Sequence, residues 1–251
     1  MLKKFSLVLL AVVVFSSLSW AQQSEVETQE LVECPTAGLL PRGSFALDLR
    51  VFSEGGILAG VDVGLTDSFL VGLCFGGTQI IGDSPVVWNP TVGVAVKIRL
   101  LDEGRIYPAV AVGFDSQGFG KYHKELKRYS TKSKGFYLAL SKGYSFLGPF
   151  GLHAGVNYSL EKGDEDKDIS GYFGLDKHLG TDLVVVAEYD LARNDNGLKA
   201  LGSGGGYLNA GLRWTFASRL NLELDIKDLL RNAKGSSKPN RELRVSYLEY
   251  F

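Results

Sequence analysis

The chain has 251 residues, with 27 Lys and Arg against 28 Asp and Glu, three His and two Cys. That balance excludes a nucleic-acid binder relying on a basic face. Scattered His and two Cys offer no zinc-type ligand set, and after the first residues no stretch reaches the ~18 apolar residues a membrane-crossing helix needs.

The chain opens on an export signal. Lys3 and Lys4 precede an almost wholly apolar run from Phe5 to Phe15, and Ser19-Trp20-Ala21 places small residues where a signal peptidase reads them. Cleavage after Ala21 removes two lysines and takes the formal charge from −1 to −3. A lipoprotein reading at Cys34 fails, because the Cys lies far beyond the apolar run and Glu33 precedes it. Residues 22–42 are polar and read as a periplasmic N-terminal segment. With 1–21 as signal peptide, this leaves 43–251 as one domain.

From Phe45 onward the apolar residues recur with period two, the signature of strands rather than helices. Twelve runs follow. The outward set begins with Phe45, Leu47, Leu49 and Val51, then Ile57, Ala59, Val61, Val63 and Leu65, then Phe69, Val71, Leu73 and Phe75. The fourth, fifth and sixth runs turn Val92 to Ile98, Val110 to Phe114 and Phe136 to Leu140 outward at alternate positions. The seventh carries Phe150 to Tyr158, the weak eighth Phe173 and Leu175, and the ninth Leu183 to Tyr189. The last three carry Leu208 to Phe216, Leu220 to Ile226, and Leu243 to Phe251. Runs of about ten residues, apolar on one face and charged on the other, match strands that cross a bilayer at a tilt. In lipid only a closed barrel satisfies strand backbones. The expected fold is all-β: a single antiparallel up-and-down transmembrane β-barrel of about 12 strands.

Two regularities support this reading. From the third run onward, long connections (76–89, 116–134, 161–168, 192–204, 228–240) alternate with short ones (102–104, 147–149, 179–181, 217–219), the asymmetry of outer loops and periplasmic turns. Aromatic residues also sort onto two rims, with Phe45, Phe69, Tyr144, Phe150, Phe216 and Phe251 on one and Phe75, Phe114, Tyr158 and Tyr189 on the other. The final run, with Leu243, Val245, Tyr247 and Phe251 at alternate positions, resembles the closing strand of bacterial outer-membrane β-barrels, although Glu249 stands where those favour an apolar residue. The Pro35-Thr36-Ala37-Gly38 lead and the strand rhythm after it loosely resemble one barrel module of exopolysaccharide-associated outer-membrane proteins of the YjbH type. No catalytic residue is carried over from that resemblance.

The register turns Asp48, Arg50, Asp62, Lys97, Arg99, Asp115, His153, Asp176, Glu188, Asp190, Arg213, Glu223, Asp225, Lys227 and Arg244 toward the lumen. Interleaved charges of this kind brace a wall as ion pairs or line a polar conduit in which Lys97, Arg99 and Arg213 contact an anionic or sugar ligand. Inward Gly60, Gly64, Gly72, Gly93, Ala109, Ala111 and Gly113 leave space or let strands curve. The long insertion holds an outer-loop basic patch of Lys121, Lys124, Lys127, Arg128, Lys132 and Lys134, suited to lipopolysaccharide phosphates or to a hydrated loop. The acidic run 161–168 reads as a solvated loop without the spacing of a calcium site.

No catalytic set, metal or cofactor is expected. His153, Asn157 and Ser159 all face inward from one strand, and residues six apart along a strand lie about 20 Å apart, so His153 reads as a lumen-lining side chain. The expected function is a passive channel, or a component of envelope or exopolysaccharide assembly, in the outer membrane. Its partners are then outer-membrane lipid, lipopolysaccharide and polysaccharide or small polar solutes, with no nucleic acid. The alternatives are an outer-membrane lipid-modifying enzyme and a soluble periplasmic lipid-binding barrel. The soluble barrel requires apolar residues inside and charged ones outside.

Overall fold

The computed structural model describes residues 27–145, 147–217 and 219–251; the expected signal peptide and its cleavage site lie outside them. Twelve strands form the wall: β1 (Ser44–Phe52), β2 (Gly56–Thr66), β3 (Phe69–Thr78), β4 (Gly93–Leu101), β5 (Ala109–Asp115), β6 (Gly135–Ser145), β7 (Pro149–Tyr158), β8 (Ser170–His178), β9 (Leu183–Asp190), β10 (Tyr207–Phe216), β11 (Leu220–Lys227) and β12 (Asn240–Tyr250). Each pairs antiparallel with its neighbours in sequence, and β1 pairs with β12 from Ser44↔Tyr250 to Val51↔Leu243. The sheet therefore closes on itself and leaves no edge to satisfy. The described residues contain no helix long and apolar enough to cross a membrane.

The period-two pattern decides the two faces. Leu47, Leu49, Leu73, Val94, Ile98, Phe136, Val156, Phe173, Leu212, Trp214 and Leu224 are exposed on the outer wall. Arg50, Lys97, His153, Asp176, Glu188, Glu223, Asp225 and Lys227 are buried inside it. This is the reverse of the polarity a soluble lipid-carrying barrel needs. The aromatic residues pair at the two rims. Phe45 stacks on Phe251, Tyr144 on Phe150, and Trp214 meets Phe216 at the short-turn end. Phe75 stacks on Trp88, Phe114 meets Phe136, and Phe173 meets Tyr189 at the long-loop end.

Two segments depart from their expected places. Residues 27–42, expected outside the barrel, enter the lumen, because their carboxylates and backbone meet wall partners there that bulk water would otherwise supply. The 116–134 insertion is not a loose loop: Phe119–His123 pairs antiparallel with Arg128–Thr131 and folds over the long-loop end.

Leu224 lies mid-strand on the outer face, opposite Leu212 and Leu243. Leu224→Arg should lower the unfolding free energy of the lipid-inserted barrel by about 2–4 kcal/mol, measured by denaturant titration in bilayers. Leu224→Ile should be nearly neutral.

Candidate functional site: the lumen and the hairpin within it

Residues 27–41 form a hairpin inside the barrel. Glu30 and Pro35 bridge antiparallel, the Leu31 N–H donates to the Cys34 carbonyl at 2.9 Å, and the Thr36 N–H donates to the Gln29 carbonyl at 3.1 Å. Residues 31–40 are all buried. The two arms approach so closely at Gly38 that a Cβ there would strike the Thr28 carbonyl. The arms rise from the short-turn end, turn in the long-loop half, where Glu33 meets Lys227 at the end of β11, and return to Gly43, which leads into β1.

The turn is held by one carboxylate. Glu188 on β9 accepts N–H donors from Val32 at 3.0 Å, Glu33 at 3.0 Å and Cys34 at 2.9 Å, and a fourth from Asn209 Nδ2 at 2.8 Å. Three consecutive backbone donors converging on a charge form an anion-binding nest, here filled from the protein's own wall. Burying a carboxylate without such partners is prohibitive, so wall and turn each require the other.

Every inward Arg and Lys of the strands meets a hairpin oxygen. Arg50 reaches the Val32 carbonyl at 3.0 Å and Glu30 at 2.6 Å. Lys97 donates to the carbonyls of Gln29 at 2.8 Å and Gly38 at 3.1 Å. Arg99 donates to the Ala37 carbonyl at 2.8 Å and pairs with Glu27. Arg213 reaches the carbonyls of Glu30 and Leu31 at 3.1 and 3.3 Å. Lys227 pairs with Glu33 at 2.5 Å and Arg244 with Glu30 at 3.1 Å. Wall acids complete the network: Glu223 holds Arg213, Asp48 holds Arg244, and Glu242 holds both Arg50 and Lys227. The wall bracing expected between neighbouring strands is thus present, and it continues through the hairpin.

The remaining inward acids differ in their company. Asp190 pairs with Lys134. Asp176 bonds His153 at 2.7 Å. Asp62 and Asp115 line a cavity of about 130 Å3 beside Lys97, Cys74 and Gln117. Asp225 is buried, and among the described residues neither of its oxygens has a hydrogen-bond partner. Cys34 and Cys74 are both free thiols.

Apolar contacts seat the hairpin as well. Leu31 and Val32 pack on Val184 and Val186, Leu39 and Leu40 on Ala46, Leu70 and Leu248, and Ala37 on Ala109 and Ala111. The inward small residues acquire a reason here. A Cβ at Gly64 would strike the Leu40 and Pro41 carbonyls, one at Gly174 would strike Leu31, and one at Gly113 would strike the Tyr137 ring.

The outer-loop basic patch is corrected by the structure. Arg128 is fully buried and binds Asp164 at 2.6 Å and Asp195 at 2.5 Å; Lys132 binds Asp164 at 2.7 Å, and Lys134 pairs with Asp190. Lys121 pairs with Glu54, which leaves Lys124 and Lys127 as the exposed pair on this loop. The basic insertion and the acidic run 161–168, each read as solvated, neutralise one another across the long-loop end. Burial opposes the Arg128 cation, but the Asp195 and Asp164 carboxylates outweigh it and raise its pKa. Burial also lifts the Glu161 carboxyl above its ordinary value, although it accepts N–H donors from Tyr129 and Ser133. At Asp166 burial is outweighed by N–H donors from Asn196, Asp168 and Gly197, and the pKa falls. Among the described residues no cluster of His, Cys, Asp and Glu is arranged to hold a metal.

Sequence reasoning missed Glu27, Glu30 and Glu33, which lay in an apparently solvated lead, and inward Glu242. It also missed Ser141, which joins His153 at 2.8 Å and accepts the Ala37 N–H at 2.8 Å. Only the strand register of β6 against β7 could have exposed that contact.

No family model matches the sequence, and no curated protein matches it. Solved structures do. The KdgM porin aligns with a TM-score of 0.51 at 8% identity, over 83% of this chain and 99% of that one. The KdgM porin in complex with disordered oligogalacturonate aligns at 0.49 and 9%, over 83% and 99%. The outer membrane protein Omp33 of Acinetobacter baumannii aligns at 0.44 and 7%, over 83% and 97%. At such identity the KdgM likeness is one of fold: a closed twelve-stranded antiparallel barrel. The KdgM neighbour is a porin, and the resemblance to the exopolysaccharide-associated type is not shown.

Two outcomes follow from the pairings. In a Cys74→Ser background, Cys34 should resist maleimide in the folded barrel. It should become reactive in Glu188→Ala, because three buried N–H groups then lose their acceptor at about 1–3 kcal/mol each. Arg128→Met leaves Asp164 and Asp195 buried without their cation, a cost of about 3–5 kcal/mol. Limited proteolysis should then cut 116–134 and 159–169 first, with the strands intact.

Proposed function

We propose that the chain is an outer-membrane, porin-like barrel whose conductance is set by its own N-terminal hairpin. The observation that carries this reading is an apolar outer wall around a charged lumen that residues 27–41 fill. The porin fold supports it, as do the two aromatic rims, which membrane interfaces select. The outer face then meets outer-membrane lipid and lipopolysaccharide, and the chain reaches that membrane through the signal at 1–21. The cargo is a small polar solute or an oligosaccharide, and the hairpin's oxygens take the place its hydroxyls and carboxylates would hold against Lys97, Arg99 and Arg213.

The occupied lumen also favours a second reading, a non-conducting barrel within envelope or exopolysaccharide assembly. Planar-bilayer recording separates the two. The full wild-type chain should conduct little, and Glu188→Ala, which loosens the turn, should show steady ohmic steps of increased conductance. Silence in both, with heat-modifiable migration confirming folded barrels, would remove the channel reading and leave the assembly role.

A further inference from the structure

The short-turn half of the lumen holds a second arrangement that neither bracing nor conduction requires. Ser141, His153 and Asp176 come from three adjacent strands. Ser141 on β6 lies opposite His153 on β7, and Asp176 on β8 lies opposite Gly151, two residues from His153. All three share the inward face by the period of two. Gly151 makes the contact possible, since a Cβ there would crowd both the Asp176 carboxylate and His153 Nε2.

The hydrogen bonds fix a direction for the protons. The Ala37 N–H donates to Ser141 Oγ at 2.8 Å, and Oγ lies 2.8 Å from His153 Nδ1. The Asp176 carboxylate, an acceptor only, takes the Nε2–H at 2.7 Å, and in that tautomer the neutral ring presents Nδ1 as acceptor for the Ser141 hydroxyl proton. His178 approaches the second Asp176 oxygen at 3.8 Å. Nucleophile, base and orienting carboxylate in hydrogen-bond reach form the arrangement that activates a serine. Buried His and Asp beside a half-buried Ser keep the base dry and the nucleophile approachable. The row borders a cavity of about 590 Å3 that Arg99, Phe150 and Gly143 also line.

We propose that Ser141, His153 and Asp176 form a hydrolytic centre for small water-soluble carboxylic esters entering from the short-turn end. Oγ attacks the ester carbonyl carbon while its proton passes to Nδ1. The bond to the leaving oxygen then breaks, that oxygen takes the proton from Nδ1, and an acyl-serine remains. Water attacks the acyl carbon and gives a proton to Nδ1, which returns it to Oγ as the carboxylic acid leaves. No electrons change hands. Ser141 and His153 are the catalytic pair, and Asp176 positions the ring. The site opens inside the wall, so bilayer phospholipid does not reach it. This centre does not depend on whether the barrel conducts.

The test uses the full chain folded in detergent, a fluorophosphonate probe and p-nitrophenyl acetate. The wild type should be labelled, with peptide mass spectrometry placing the adduct on Ser141. Ser141→Ala should abolish label and turnover. His153→Gln should lower both by about 10²–10⁴-fold, the range of general-base catalysis. Asp176→Asn should shift the pH profile of turnover, and Asp176→Glu should restore it in part. Circular dichroism and heat-modifiable migration identify variants that have folded. A folded wild type that takes no label at Ser141, or a label that persists in His153→Gln, overturns the proposal and leaves the row as a clamp on the hairpin at Ala37.

Discussion

One carboxylate sets the interior of this molecule. Glu188 faces a region without bulk water, and its charge is tolerable only because three backbone N–H groups of the hairpin turn and Asn209 surround it. The turn in turn has no internal acceptor for those donors. Remove either side and a buried polar group is left alone, which is costlier than the modest net gain of making the bond. The cations follow the same logic. Lys97 donates both of its hydrogen bonds to hairpin carbonyls, and Arg99 depends on Ala37 and Glu27. The hairpin is therefore part of the wall's electrostatics rather than a tail resting inside it.

The same principle organises the long-loop end. Arg128 is fully buried between Asp164 and Asp195, which come from two other loops. Tyr207 donates to Asp195 at 2.7 Å and Lys132 reaches Asp164, so three loops share one charged knot. A charge this deep persists only when its partners are fixed, and the loops are fixed by the knot itself.

The wall was legible in the sequence because strand polarity is a local property. Leu220 to Ile226 against Asn221 to Lys227 reads directly as two faces, and rim aromatics such as Phe45 and Phe251 mark where the faces end. The hairpin was not legible, because Glu27, Glu30 and Glu33 look like any solvated lead until Arg99, Arg50, Arg244 and Lys227 are brought to them from 20 to 214 positions away. The loops failed for the same reason: 121–134 and 161–168 each read as hydrated runs, and only the closed barrel makes them neighbours. Ser141 carries no local signal at all. Its significance arises across two strand pairings, β6 with β7 and β7 with β8.

The hairpin touches β1 through Arg50, β4 through Lys97 and Arg99, β6 through Ser141, and β9 to β12 through Glu188, Arg213, Lys227 and Arg244. Those strands lie on opposing arcs of the cylinder. A tube of hydrogen-bonded ribbon flattens easily into an ellipse, since ovalisation breaks no ladder bond. A strut tied to both arcs forbids that deformation, because any change in diameter stretches charged contacts already at close range. The hairpin thus holds the two arcs at a fixed separation and keeps the cross-section from collapsing.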